Sequence, residues 1–161
     1  MVCVGIDVAK DKHDCCILDS DGMVRADCFT IPNNMDGFKQ LLQTIRNCTQ
    51  KSDKIKVGLE ATGHYSYNII GFLLNKDLAT FILNPLHTNL YRKSLSLRKT
   101  KTDKIDSKTI AMMLLSDVSL KSYSDISYHN EDLKSLTRYR FSKVEERAKL
   151  KTSLSRLAQI L

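Results

Sequence analysis

No run of about 18 consecutive apolar residues occurs in the chain, so the sequence holds no candidate membrane-spanning helix. No secretory leader is expected either: MVCVGIDVAK puts an acid and a lysine where such a leader needs its apolar stretch, so an intracellular protein is expected. No Cys-x-x-Cys pair is present. The five cysteines, Cys3, Cys15, Cys16, Cys28 and Cys48, are odd in number, and the adjacent Cys15 and Cys16 are poorly placed to share a metal. Reduced, mostly buried thiols are the expectation. There is no internal repeat and no low-complexity segment. With 42% hydrophobic and 27% charged residues over 161 positions, the chain is long enough and apolar enough for a globular domain with its own core.

Positive charge is scarce in one half and abundant in the other. Residues 1–80 hold nine Lys and Arg against ten Asp and Glu, a net of −1, whereas residues 81–161 hold sixteen against eight, a net of +8. All of the net +7 therefore sits in the second half, which points to a polyanionic partner such as nucleic acid.

The pattern predicts strands over 2–8, 13–18 and 23–31, with Asp19-Ser20-Asp21-Gly22 as a turn of an antiparallel meander. Pro32-Asn33-Asn34 breaks the pattern, and either asparagine is suited to cap a helix over 35–48 with Phe38, Leu41, Leu42 and Ile45 at helical spacing. A strand over 55–60, a helix over about 65–75 with Tyr67, Ile70, Phe72, Leu73 and Leu74 as core positions, and a strand over 78–83 come after it. Pro85 suits the start of the next helix. Residues 92–104 carry six Lys or Arg and one acid, and 103–116 read as a helix. From about residue 129 a long charged helix runs to the last residue. Its positions Leu150, Leu154, Leu157 and Leu161 are spaced four, three and four apart, as in a coiled-coil seam. No Gly or Pro stops it, so a fragment, or an arm with a partner elsewhere, is expected. Three meander strands followed by alternating helices and strands give a mixed sheet with helices on its faces, an order that matches the ribonuclease H-like architecture.

Two of the apolar strands end on an acid, Asp7 and Glu60, at positions where a side chain emerges at the rim of a sheet. Asp103 and Asp106, three apart, share one helix face. Phosphodiester chemistry calls for an activated nucleophile and a stabilised leaving oxygen, which two Mg²⁺ ions about 4 Å apart supply. Mg²⁺ prefers carboxylate oxygen, and several carboxylates brought together without metal repel one another. Read singly, each acid fits a plainer role: a solvated strand end, or for Asp103 a helix cap. His13, His64 and Tyr65 fit structural roles, and Asp11 and Asp14 read as solvated hairpin acids. Arg92, Lys93, Arg98, Lys99, Lys101 and Lys104 are the candidate phosphate contacts.

The words GIDVAK, LEATGHY, NP and KTDKID, in this order and spacing, resemble the N-terminal domain of DEDD-type insertion-sequence transposases. These are RuvC-like recombinases guided by a bridge RNA and related to the pilin-gene invertases. The resemblance runs from about residue 3 to 116 and on into the coiled-coil-like helix. It implies a RuvC-like, ribonuclease H-like mixed five-stranded sheet flanked by helices over residues 1–125, and a basic coiled-coil-like helix over 126–161. It implies that Asp7, Glu60, Asp103 and Asp106 form the catalytic tetrad and bind Mg²⁺ or Mn²⁺. The implied partners are DNA, a guide RNA and further copies of the chain joined through the C-terminal helix, in a bacterial, nucleoid-associated setting. The chain is expected to stop short of the family's second domain, which carries its nucleophilic serine. Ser107 stands where the family often has alanine.

The leading expectation is thus the metal-dependent catalytic domain of a transposase or site-specific recombinase. The alternatives are a nucleic-acid-binding and dimerisation module without chemistry of its own, or a stand-alone Holliday-junction nuclease. An actin-like ATPase is disfavoured, because Val8-Ala9-Lys10 comes after the first acid where a phosphate hairpin needs glycine.

Overall fold

The computed structural model describes residues 1–60, 63–95, 103–116, 120–123 and 125–158. The first three strands, β1 (Val2–Val8), β2 (Lys12–Asp19) and β3 (Val24–Pro32), form the expected meander. Helix α1 (Met35–Cys48) is next, capped by the Asn34 side chain, which accepts a hydrogen bond from the Gly37 amide at 3.0 Å. Strand β4 (Ile55–Glu60), a 3₁₀ turn (Gly63–Ser66), helix α2 (Tyr67–Leu74) and strand β5 (Ala79–Leu83) continue the chain. Helices α3 (Pro85–Leu95) and α4 (Asp103–Ser116) complete the first of two compact units, Met1–Ser124. The second unit, Asp125–Leu161, contains the 34-residue helix α5 (Asp125–Ala158).

The five strands are ordered β3-β2-β1-β4-β5. β1 is central, antiparallel to β2 and parallel to β4, and β5 is parallel to β4. Parallel pairing needs crossovers, and α1 and α2 supply them. Side chains alternate between the two faces of a strand, and here the alternation separates two halves of the core. One face carries Cys3 and Gly5 of β1, Cys16 and Leu18 of β2, and Phe81 and Leu83 of β5. Buried Ile110, Ala111, Met113 and Leu114 of α4 pack against it. On the other face His13 stacks on Phe38 of α1 with ring centroids 6.1 Å apart, and Phe38 meets Phe72 of α2 at 5.5 Å.

The seat of α4 is set by two glycines. A Cβ on Gly5 would lie 2.0 Å from the Ser107 carbonyl oxygen and 2.5 Å from the Ala111 nitrogen. A Cβ on Gly58, its registered partner on β4, would lie 2.8 Å from a methyl of Leu114. Backbone against backbone at Gly5 leaves no room for any other residue, so α4 lies directly on the central strand.

In α2 the buried residues are Ile69, Ile70 and Leu73, while Tyr67, Phe72 and Leu74 are half-buried. The 3₁₀ turn delays the start of the α-helix to Tyr67. All five cysteines are free thiols, and Cys3, Cys15 and Cys16 are buried. Burial raises the Cys16 thiol to about 11 and holds Cys15 well above its ordinary value, so both stay protonated near neutrality. Among the described residues no helix is long and apolar enough to cross a membrane.

Candidate metal and nucleic-acid site

Asp7 and Glu60 are placed by the same local rule. Each lies two residues beyond a glycine that faces α4 (Gly5-Ile6-Asp7 and Gly58-Leu59-Glu60), so each presents its side chain on that same face. The parallel register pairs Gly5 with Gly58 and Ile6 with Leu59. The two acids therefore stand side by side at the ends of neighbouring strands, which run about 4.8 Å apart. Asp106 comes from above: it immediately precedes Ser107, whose carbonyl sits over Gly5. Asp7, Glu60 and Asp106 consequently line one cleft of about 480 Å³, whose other wall is formed by Pro85, Leu86, Thr88, Asn89 and Arg92 of α3.

Asp106 is 9% exposed and is held by Arg92, whose Nη1 donates to its Oδ1 at 2.6 Å. The other terminal nitrogen of the same guanidinium donates to Asn89 Oδ1 at 2.9 Å. Ser107, fully buried, directs its hydroxyl to Cys28 Sγ at 3.8 Å, a contact that gives a buried hydroxyl a partner across the α4 face.

One acid reads differently in the structure than in the sequence. Asp14 is buried (8% exposed) rather than solvated. It lies directly across from Asp7 in the antiparallel register of β1 and β2, and therefore on the same face. Its carboxylate accepts a hydrogen bond from the Thr30 hydroxyl and lies 3.9 Å from Lys12 Nζ. Periodicity carries the signal: Asp14 is two residues from Cys16 and four from Leu18, both on the α4 face.

Behind the site, Asn33 ties two loops together. Its amide nitrogen donates to the Lys10 carbonyl at 3.0 Å and to the Tyr65 carbonyl at 3.3 Å. Those residues lie in the segments just beyond Asp7 and Glu60. His13 supports the first of these loops by accepting the Ala9 amide at Nδ1, 3.4 Å away. His13 Nε2 and Asn33 Oδ1 are buried without a partner among the described residues. The rings of His64 and Tyr65 meet at 4.2 Å with their planes tilted by 48° in the 3₁₀ turn, and neither residue is part of the cleft lining.

Of the expected basic contacts, Arg92 lines the cleft and Lys93 is exposed on α3. Arg98, Lys99 and Lys101 lie outside the described residues, as do the side chains of Asp103 and Lys104, although the backbone of those two opens α4. Among the described residues no three His, Cys, Asp or Glu side chains form a ready-made metal site. The chemistry of the cleft's donors nonetheless suits a hard divalent ion. The three acids offer only carboxylate oxygens, and neither His nor Cys appears in the described lining.

A transposase family model matches residues 4–161, nearly the whole chain. The chain belongs to the IS110-type DEDD transposases. Within this family setting it is 33% identical over 108 residues to the pilin gene-inverting proteins of Moraxella bovis and Moraxella lacunata. That match covers 67% of this chain and 32% of each relative, so the transposase chain spans about a third of the length of the curated relatives it matches. Among solved structures, Thermus thermophilus RuvC superposes with a TM-score of 0.52 at 9% identity, covering 76% of this chain and all of that one. The T. thermophilus RuvC complex with a Holliday-junction substrate gives 0.51 at 10% identity over the same shares. The fold of this transposase chain is thus RuvC-like, a ribonuclease H-like mixed five-stranded sheet with flanking helices.

Proposed function

We propose that this chain is the metal-dependent catalytic domain of an insertion-sequence recombinase that cuts and rejoins DNA strands. The observation that carries this reading is the shared cleft of Asp7, Glu60 and Asp106, built from two adjacent strand ends and the helix lying over them. In this reading the three acids, with Asp103 as a fourth, hold Mg²⁺ or Mn²⁺. The ions supply charge neutralisation at the scissile phosphate and an activated oxygen nucleophile. The chain's own contribution is positioning. Close packing of α4 on Gly5 holds Asp106 over the strand ends, and Asp14 beside Asp7 adds a second negative charge that favours a bound cation. Arg92 and Asn89 supply hydrogen-bond donors on the opposite wall for a phosphate oxygen.

The partners proposed with this reading are DNA, met by the basic second half of the chain, and a guide RNA, which rests on the family resemblance. Further copies of the chain would join through α5. That helix exposes Leu133, Leu136, Val144, Leu150, Leu154 and Leu157, an apolar series suited to helix pairing.

The test is Asp7→Ala in the full-length recombinase. Strand exchange is expected to vanish while the melting temperature holds or rises, because a carboxylate beside Asp14 is removed. Full activity in that variant would sink the reading and favour a binding module whose chemistry is supplied elsewhere.

A further inference from the structure

The Asp106 carboxylate already has a cation. Its side chain is 11% exposed, and a carboxylate so far removed from water needs a positive partner. Arg92 provides one at 2.6 Å, from a side chain that is itself only 29% exposed. The guanidinium is held from a second direction by Asn89, one turn back on α3, so its approach to Asp106 is fixed by α3 itself. A guanidinium has five N–H donors, and these two bonds use two of them.

Resting on the metal reading above, we propose that Arg92 is the resident cation of the metal-free site, and that a divalent ion displaces it from Asp106. The exchange is electrostatic, with no bond made or broken beyond hydrogen bonds. Asp106 trades a guanidinium for a metal ion and never stands unpaired in its desolvated position. Arg92, released but still anchored through Asn89, then faces the cleft with a planar fork of donors matched to two phosphate oxygens. Metal loading and phosphate capture become one coupled event: the arginine is free to bind DNA only after the metal has arrived. The same contact keeps Asp106 paired when no metal is present.

The coupling is measurable with Mn²⁺ alone as the probe, on the whole chain, by loss of the free-ion electron paramagnetic resonance signal. If Arg92 competes for Asp106, Arg92→Gln binds Mn²⁺ about fivefold more tightly than the wild type. Lys93→Gln removes the same charge from an exposed neighbouring position, and should change affinity by less than about twofold, since exposed charges are screened. Asn89→Ala changes no charge; it loosens the guanidinium and should tighten Mn²⁺ binding by an amount between the other two. Equal affinity in wild type and Arg92→Gln, or an equal shift in Lys93→Gln, would overturn the exchange. Asp106→Asn tests the underlying reading separately. If wild type binds Mn²⁺ and Asp106→Asn does not, the site stands whatever Arg92 does; if no variant binds, site and exchange fall together. Anisotropy with a short labelled duplex completes the test. Arg92→Gln should lose affinity about fivefold with Mn²⁺ present and little in chelator; an equal loss in both would show an arginine free from the start and overturn the coupling.

Discussion

Gly5 is the residue on which the site's geometry turns. Its missing side chain lets the α4 backbone lie on β1, and that closeness brings Asp106 over Asp7. Gly5→Ala forces a methyl against a carbonyl oxygen and an amide nitrogen, neither of which can rotate away. We expect a loss of at least about 2 kcal/mol, larger than that of Gly58→Ala, whose added methyl meets only a flexible leucine. Urea unfolding of the two variants checks the order. His13 offers a residue-level pH dependence. Burial holds it below its ordinary value of 6.5, and the nearby Asn33 amide and Asp14 carboxylate oppose this only in part. The folded state therefore prefers the neutral ring, whose Nδ1 accepts the Ala9 amide. The unfolded chain takes up its proton first as pH falls. The contribution of His13 is complete above about 6.5 and is lost as pH falls through the lower folded value. The melting-temperature gap between wild type and His13→Gln should accordingly shrink from about pH 7.5 to about pH 5. A gap that stays constant would mean that His13 does not titrate in this window.

At the scale of elements, the strand ends are positioned by the loops that leave them. Asn33, just beyond β3, joins the exits of β1 and β4 through the Lys10 and Tyr65 carbonyls. Losing both donors in Asn33→Ala should cost about 1–2 kcal/mol. Asn33→Asp should cost more, because it sets a carboxylate against the same two carbonyls. Thermal melts of the pair would decide, and an aspartate as stable as the alanine would show that the tie carries no weight. Much at this scale was legible in the sequence. Alternation in VCVGIDV and IKVGLE marks β1 and β4, and Asn34 and Pro85 mark helix starts, because each signal is local. The face of Asp14 was legible from the two-residue period it shares with Cys16 and Leu18, but its place beside Asp7 and the Arg92–Asp106 pair were not. The first of these depends on strand register and the second on how α3 packs beside α4. The Gly-x-acid repeat in β1 and β4 could have been read in advance as two close approaches beneath one helix.

At the scale of the whole molecule, the charge asymmetry does not follow the two units: residues 1–124 carry a net of +4 and residues 125–161 a net of +3. The first carries the acidic cleft. The second carries α5, 34 residues and so about 50 Å long, with basic side chains interleaved among exposed leucines. An isolated helix gains little from exposing Leu150, Leu154 and Leu157 to water; burying each against a second helix is worth roughly 1.5–3 kcal/mol before the entropy of association is subtracted. If α5 joins copies of the chain, Leu150→Glu with Leu154→Glu places like charges along the seam of every partner and should abolish association. Sedimentation equilibrium at micromolar concentrations should then show a concentration-dependent oligomer for the wild type and a monomer for the double variant. Mn²⁺ binding at the cleft should stay unchanged, because every described residue that lines it belongs to the first unit. A wild-type chain that sediments as a monomer throughout would instead leave the leucines for a different partner. The basic residues interleaved with them would then favour a surface that is at once apolar and anionic.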